Sequence, residues 1–194
     1  MEPTPGCLIY VCGPSGAGKD ALLRLARERL APRGFVFPQR VITRPADGSE
    51  KHIEMSHEEF SAAAARGAFC MQWQSHSLSY GIPASLRAEL AAGNPAVVNG
   101  SREYLPEARR LFPQMLCLMI TAPATVIATR LAQRGREDDE AIAERMERNQ
   151  RLAEFEADVV HENHGDLQAS GEAFVALLAR LAAMHGQRAE PAQS

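Results

Sequence analysis

Three glycines and a lysine in one short loop carry the clearest chemical signal in this sequence. Gly13, Gly16 and Gly18 precede Lys19 with the spacing G-x-x-x-x-G-K. Without side chains at these positions, backbone N–H groups can curl around a phosphate while the lysine ammonium reaches its outer oxygens. The apolar run Leu8–Cys12 predicts a buried parallel strand before the loop, and a helix is predicted after it. Because the positive end of that helix faces the same anion, the stretch predicts a nucleotide-binding site.

Asp20 follows the lysine, where loops of this kind carry a Ser or Thr that ligates magnesium. A carboxylate beside a triphosphate is repelled unless a divalent cation lies between them, and Mg²⁺ prefers oxygen ligands. Metal coordination, direct or through water, is therefore favoured over a role in which Asp20 only complements the helix dipole. A strand predicted over 96–99 ends in Asn99, where many P-loop enzymes have a magnesium-binding Asp. We infer that Asp20 supplies the carboxylate that this strand end lacks.

Arginines at several places could bind further phosphates. Arg44 lies where an apolar run gives way to a turn, and Arg102 lies near the start of a predicted helix. Either guanidinium could clamp an anion through two parallel hydrogen bonds, and an exposed surface position is equally compatible with the pattern. The charged, glycine-broken connection 134–140 is typical of a mobile lid. Arginines in and after this connection are predicted to clamp phosphates rather than only to form i,i+4 surface pairs. They are Arg134, Arg136, Arg145 and Arg148.

Alternating strands and helices predict one α/β domain over 6–185, with a parallel sheet between helical layers. Further strands are predicted over 35–40, 115–121 and 158–163. Helices are predicted over 20–30, 102–111, 124–133 and 171–184, the second of them capped by Ser101. Residues from 186 onward are predicted to form a disordered tail.

The stretch 45–82 departs from this alternation and predicts a small helix-and-hairpin insertion beside the main sheet. Ser56 and Glu59 form a capping box that opens a helix. A strand is predicted over 69–74 and a turn over 77–81. Such an insertion is a place where a phosphate acceptor could be held.

Composition and charge narrow the class of protein. The 194 residues carry a net charge of −3 and the arginines are interleaved with acids, so no nucleic-acid surface is expected. No apolar run reaches membrane-spanning length and no signal-like segment is present, so a soluble cytoplasmic protein is expected. The four cysteines lie in or beside apolar runs and are expected to be buried thiols. His161 and His164 complete no recognisable metal motif.

Together these motifs resemble the guanylate-kinase-like group of P-loop phosphotransferases, from residue 8 to about residue 178. The shared landmarks are the loop 13–19, Thr43-Arg44-Pro45, 56–60, Tyr80-Gly81 and 130–135. Guanylate kinases bind guanine with a Glu on the insertion strand and an Asp at the next strand end, whereas this chain has Met71 and Asn99 there. A pocket without those carboxylates lacks the acceptors that guanine N–H donors need.

The chain is more similar to the ribose 1,5-bisphosphate phosphokinase family of phosphonate catabolism. That resemblance rests on 13–20, 40–45, Trp73-Gln74 with His76, 80–83, 97–102 and 134–137. It implies transfer of the γ-phosphoryl group of ATP to the C1 phosphate of ribose 1,5-bisphosphate, with Mg²⁺. The products would be 5-phosphoribosyl 1-diphosphate (PRPP) and ADP. The alternatives are a guanylate or other nucleoside monophosphate kinase and, disfavoured by the intact loop, a non-catalytic binding module.

The same resemblance implies roles for individual residues. The ATP-binding residues would be Gly13, Pro14, Ser15, Gly16, Ala17, Gly18, Lys19 and Asp20, with Asn163 beside adenine and Asp20 at the Mg²⁺. The groups acting on the transferring phosphoryl would be Lys19, Arg134, Arg136 and Arg145, and the acceptor side would be formed by Arg44, Tyr80, Asn99 and Arg102. The nucleophile is a phosphate oxygen that is already anionic near neutral pH, so no general base is required.

Overall fold

The computed structural model describes residues 5–45, 51–75, 77–133 and 156–188. Its strands are β1 Leu8–Cys12, β2 Val41–Ile42, β3 Ile53–Glu54, β4 Phe69–Ser75, β5 Leu78–Pro83, β6 Ala96–Asn99, β7 Leu116–Thr121 and β8 Val159–Glu162. Its helices are α1 Lys19–Leu30, α2 His57–Ala65, α3 Leu86–Ala91, α4 Leu105–Leu111, α5 Ala124–Gln133 and α6 Leu167–Arg188. A 3₁₀ turn, Ala31–Arg33, follows α1.

Strand β1 lies inside a four-stranded parallel sheet of order β6-β1-β7-β8. Its side chains are buried on both faces, which agrees with the continuous apolar run in its sequence. Ile9 and Val11 pack in one core with helices α1 and α6. Tyr10 and Cys12 point to a second core that includes residues of α3 and α4. The predicted three-layer arrangement is therefore confirmed.

A second four-stranded sheet, of order β3-β2-β5-β4, forms the insertion. The Ser56 hydroxyl accepts a bond from Glu59 N at 3.1 Å, and the Glu59 carboxylate accepts from Ser56 N at 2.7 Å, so the predicted capping box is confirmed. The predicted turn over 77–81 is wrong beyond its first residue, because β5 begins at Leu78 and pairs antiparallel with β4. Ser77, at a φ of 60°, lies in the turn itself.

Two predictions in the first half of the domain are also corrected. Residues 35–40 make only an isolated bridge, between Val36 and Ala96. Pro38 lacks an N–H for a strand ladder, which accounts for the interruption. The helix predicted over 102–111 begins at Leu105 with Tyr104 as its N-cap residue, so Ser101 does not cap it. Pro106 near that start suits the first helical turn.

Helix α6 begins at Leu167, four residues before the prediction, and runs through Gly186 to Arg188. Gly171 was predicted to start the helix but lies inside it. A glycine is needed there because a Cβ would lie 2.2 Å from Leu25 Cδ2 of α1. The predicted tail boundary thus falls inside the helix, and 189–194 lie outside the described residues. By length and composition, α6 is the one helix in the described ranges that could cross a membrane. Its Phe174 and Leu178 are nonetheless buried in the core.

The expectation for the cysteines is confirmed, since all four are buried and free. The two histidines differ from each other. His161 is buried and its Nε2 lies 3.2 Å from Ser170 Oγ, whereas His164 is exposed with Nδ1 3.6 Å from Glu162 Oε1. His161 therefore belongs to the core and His164 to the surface.

Candidate active site

The glycine loop connects the carboxyl end of β1 to α1, as the sequence predicts. Gly13 has a φ of 150°, and a Cβ there would lie 2.1 Å from the Ile120 carbonyl oxygen of β7. Gly18 has a φ of 86°, and a Cβ there would lie 2.3 Å from Asn163 Nδ2. Only glycine fits both positions, since each combines an unusual backbone angle with close contact on its open side. A side chain at either position would therefore distort the loop.

The Lys19 ammonium turns back into this loop. Its Nζ donates to the carbonyl oxygens of Gly13 at 2.9 Å and Pro14 at 3.0 Å. Burial lowers the pKa of Lys19 to about 8, although the charge of neighbouring Asp20 acts in the opposite direction. The positive charges of Arg40 and Arg102 lower the pKa of Lys19 further. Several cations thus converge where a polyphosphate would lie.

We expect Lys19 to titrate near pH 8 in the nucleotide-free protein and at higher pH when Mg-ADP is bound, because a polyphosphate favours the charged ammonium. The chain contains two lysines, Lys19 and Lys51, so ¹³Cε-lysine NMR gives two side-chain signals to follow. The signal absent from Lys19→Arg identifies the residue. A midpoint of about 10.4 for that signal in the free protein, the usual value for lysine, would contradict the prediction.

The same shift links Lys19 to folding stability. The folded-state pKa lies below the unfolded one, so between the two values the unfolded chain binds more protons. The contribution of Lys19 to stability therefore rises as pH increases from about 8 toward the ordinary lysine range, and is least favourable below pH 8.

Asp20 and Asn99 lie side by side at the carboxyl ends of the strands. Asn99 Nδ2 donates to Asp20 Oδ1 at 3.2 Å. Asn99 Oδ1 is buried, and no described residue donates a hydrogen bond to it. In the described ranges no group of three or more His, Cys, Asp or Glu side chains could hold a metal. A carboxylate and an unused amide oxygen suit Mg²⁺, which takes few protein ligands and completes its shell with waters and substrate phosphates.

The segment that follows Asn99 is fixed by a tyrosine from the core. The buried Tyr10 hydroxyl donates to Ser101 O at 2.8 Å and accepts from Ser101 N at 2.8 Å. Gly100 packs flat on the same ring, because a Cβ there would lie 2.0 Å from Tyr10 Cζ. Burial raises the pKa of Tyr10, which keeps the hydroxyl protonated as a donor. This anchor positions Asn99 on one side and the buried Arg102 on the other.

Asn163 lies behind the loop. It is 1% exposed, its Nδ2 donates to Ala17 O at 2.7 Å, and its Oδ1 accepts from Ser170 Oγ at 2.8 Å. Arg130 Nη1 donates to the same Ala17 carbonyl at 3.3 Å. The described contacts of Asn163 are thus with the protein, where it braces the loop. Its predicted position beside adenine stays a prediction.

The acceptor-side candidates occupy the insertion and its junction with the main sheet. The Arg44 carbonyl lies 2.9 Å from His52 Nε2. Tyr80, on β5, pairs with Ile42 across one edge and with Trp73 across the other. Its ring stacks on Trp73 with centroids 5.4 Å apart, and Trp73 stacks on Tyr104 at 5.3 Å. A wall of three aromatic rings therefore borders this side of the site.

The predicted residues fall into three groups. Lys19, Asp20, Asn99 and Arg102 come together around the loop, as their contacts and charges show. Tyr80 lies on β5 of the insertion sheet, and Arg44 lies just after β2, in the connection to β3. The predicted lid connection 134–140 lies outside the described residues, and so do the arginines in and after it. These are Arg134, Arg136, Arg145 and Arg148.

Sequence reasoning missed three residues of this site. Tyr10 was assigned only to a strand, and Arg40 and Arg130 entered only as members of the family motifs 40–45 and 130–135, without a role in the site. Each acts through contacts more than 35 residues away along the chain: Tyr10 with Ser101, Arg130 with Ala17, and Arg40 with Asn99. No local motif marks such contacts.

Comparison with known proteins gives the chain a family. No protein-family model matches it. Proteins named ribose 1,5-bisphosphate phosphokinase PhnN from Acidiphilium cryptum and Burkholderia pseudomallei are 48% and 45% identical to it. The first match covers 92% of this chain and 95% of the relative, the second 90% and 96%. A protein of the same name from Laribacter hongkongensis is 47% identical over 92% of this chain, which spans only 44% of that longer relative.

Among solved structures, guanylate kinase from Anaplasma phagocytophilum matches with a TM-score of 0.66 at 18% identity. The match covers 94% of this chain and 89% of that structure, and at this identity it supports the fold alone. Identities of 45–48% along about nine tenths of the chain show family membership as well as the fold. The chain belongs to the ribose 1,5-bisphosphate phosphokinase family.

Proposed function

We propose that this protein transfers the γ-phosphoryl group of ATP to the C1 phosphate of ribose 1,5-bisphosphate, forming PRPP and ADP. The observation that carries the proposal is the 45–48% identity to relatives of that name over about nine tenths of the chain. Phosphonate degradation in the cytoplasm, without a nucleic-acid or membrane partner, is part of the same proposal.

The site supports this reaction because the reaction needs positioning and charge neutralisation rather than a base. One oxygen of the C1 phosphate attacks the γ-phosphorus, the bond from that phosphorus to the β,γ-bridging oxygen breaks, and ADP leaves with the bond's electron pair. Lys19 and the loop N–H groups would hold the β- and γ-phosphates. Arg102 and Arg44 would hold the acceptor, and Arg134, Arg136 and Arg145 would close over the transferring group.

A divalent cation fits beside the loop. The Asp20 carboxylate and the Asn99 amide oxygen would hold Mg²⁺, directly or through water. When bound, the ion neutralises phosphate charge and orients the oxygens for in-line transfer. With Asp20 paired to Mg²⁺, the negative charge beside Lys19 no longer repels the triphosphate.

The Asp20→Asn variant tests this assignment. We expect the Mg²⁺ concentration that gives half-maximal activity to rise roughly 10- to 100-fold, because the ion loses its charged protein ligand. A Mg²⁺ titration of the initial rate measures the shift. Glu28→Gln, which removes an exposed carboxylate from the same helix, is the matched control. An unchanged Mg²⁺ requirement in Asp20→Asn would assign Asp20 to the helix dipole instead.

The function is tested by ADP release with Mg-ATP, with ribose 1,5-bisphosphate and GMP offered in parallel. We expect turnover with the sugar bisphosphate only. Met71 is 1% exposed in the apolar core and Asn99 is an amide, so neither place supplies a carboxylate for guanine. Turnover with GMP alone would favour a nucleoside monophosphate kinase, and no turnover with either would favour a binding module.

A further inference from the structure

Arg40 lies at the junction of the two sheets, immediately before β2. Its Nη1 donates to the backbone oxygen of Asn99 at 3.4 Å, at the carboxyl end of the main sheet. Its Cζ lies 5.4 Å from the centre of the Tyr80 ring, on the insertion sheet. One side chain therefore contacts both the loop side and the acceptor side of the site.

The Arg40 guanidinium lies over a ring that is itself part of an aromatic stack. Tyr80 is stacked almost parallel on Trp73, with an interplanar angle of 4°, and Trp73 is stacked in turn on Tyr104. A guanidinium within about 6 Å of a ring centre is attracted by the negative face of the ring. Arg40 is half-buried, so its charge is screened less than that of an exposed arginine.

The proposed acceptor carries two phosphates, and only one of them reacts. The C1 phosphate must lie beside the γ-phosphoryl group of ATP, near Lys19 and the Asp20–Asn99 pair. The C5 phosphate is attached on the other side of the ribose and needs a second cationic contact. Arg40 contacts the Asn99 carbonyl on the main sheet and the Tyr80 ring on the insertion sheet, so it lies between these two parts of the site.

We infer that the Arg40 guanidinium, held between Tyr80 and the Asn99 carbonyl, binds the non-reacting C5 phosphate of the acceptor. This inference rests on the proposed function and names the group that makes the site select a sugar bisphosphate. A guanidinium has five N–H donors in a planar fork, so it can bind a backbone oxygen and a phosphate together. The aromatic wall beneath it offers no base-reading carboxylate, and the acceptor is selected by the phosphate instead.

The test compares two half-acceptors as inhibitors, ribose 5-phosphate and ribose 1-phosphate, in the wild type and in Arg40→Met. We expect ribose 5-phosphate to bind the variant about 10- to 100-fold more weakly, because a charge-assisted contact is lost, while ribose 1-phosphate binds both proteins equally. The KM for ribose 1,5-bisphosphate rises by the same factor, whereas the affinity for ribose 1-phosphate serves as the internal reference for any general disturbance of the site. Arg40→Lys, which keeps the charge without the fork, is intermediate.

Arg87→Met is the matched control, since it removes an arginine whose Cζ lies 4.5 Å from the Phe112 ring centre on the exposed side of α3. Equal weakening of both half-acceptors by Arg40→Met would overturn the inference and give Arg40 a structural role. So would an unchanged ribose 5-phosphate affinity, or no binding of ribose 5-phosphate to the wild type. Failure of the proposed function appears separately, as absent turnover of ribose 1,5-bisphosphate by the wild type.

Discussion

Replacement of Lys19 by methionine is expected to lower kcat about 10²- to 10³-fold, the loss seen when one preorganised donor to a developing charge is removed. The reason lies in how the ammonium is held. The ammonium donates to the Gly13 and Pro14 carbonyls, so it is positioned inside the loop that would hold the phosphates. Methionine keeps the length of the side chain and removes the charge.

Steady-state kinetics with saturating ATP and acceptor measures this effect on kcat, and Mg-ADP titration measures binding. We expect ADP affinity to fall much less than kcat, because the loop N–H groups remain. Lys51→Met is the matched control, since Lys51 is the other lysine of the chain and is exposed. If Lys19→Met lost ADP affinity and kcat to the same extent, the lysine would act in nucleotide binding rather than in transfer.

Gly100→Ala is expected to destabilise the fold by about 2–3 kcal/mol and to abolish most activity. The added methyl group would lie 2.0 Å from Tyr10 Cζ, and Tyr10 is fully buried in the core. The backbone at residue 100 must therefore move, which breaks the two bonds between Tyr10 and Ser101. Asn99 and Arg102 flank this segment, so the metal side and the acceptor side are displaced together.

Thermal unfolding of Gly100→Ala should show a midpoint lowered by about 4–12 °C for a chain of this size. The matched control is Gly186→Ala in α6, where a Cβ meets nothing within 4 Å. That substitution should be neutral or stabilising by up to about 1 kcal/mol, since alanine is the better helix former. A wild-type midpoint for Gly100→Ala would show that the ring of Tyr10 can move aside.

The phosphate loop could be predicted because all of its signals are local. The strand, the glycine spacing and the helix start are contiguous, and each has a residue requirement that can be recognised in the sequence. The helix after β6 was predicted to begin three residues too early because its start depends on a contact with a distant part of the chain. Ser101 has the composition of an N-cap, but its backbone is held by Tyr10, 91 positions earlier in the chain. A tertiary contact of this kind overrides a local pattern.

The candidate site also contains residues that a local motif predicts and residues that only long-range contacts define. Lys19 and Asp20 follow from the loop motif, and the structure adds that Asn99 contacts Asp20. Arg40 belongs to the family motif 40–45, but its role could not be predicted from its neighbours in the chain. Its contacts are with Tyr80 and Asn99, which approach it only in the folded protein. The predicted strand over 35–40 also assigned Arg40 to the wrong element. Pro38 interrupts that strand, and Arg40 lies at the start of the second sheet.

The brace behind the phosphate loop has a consequence for how the protein is made. Residues 13–19 are synthesised before Asn163, which holds the Ala17 carbonyl from 146 positions later in the chain, and before Ser170, which holds Asn163. Strand β8, at the edge of the main sheet, also follows the loop in the chain. An ATP molecule can stabilise only a chain that has formed its site. We therefore expect ATP to stabilise chains in which this brace has formed and to give shorter nascent chains no such help.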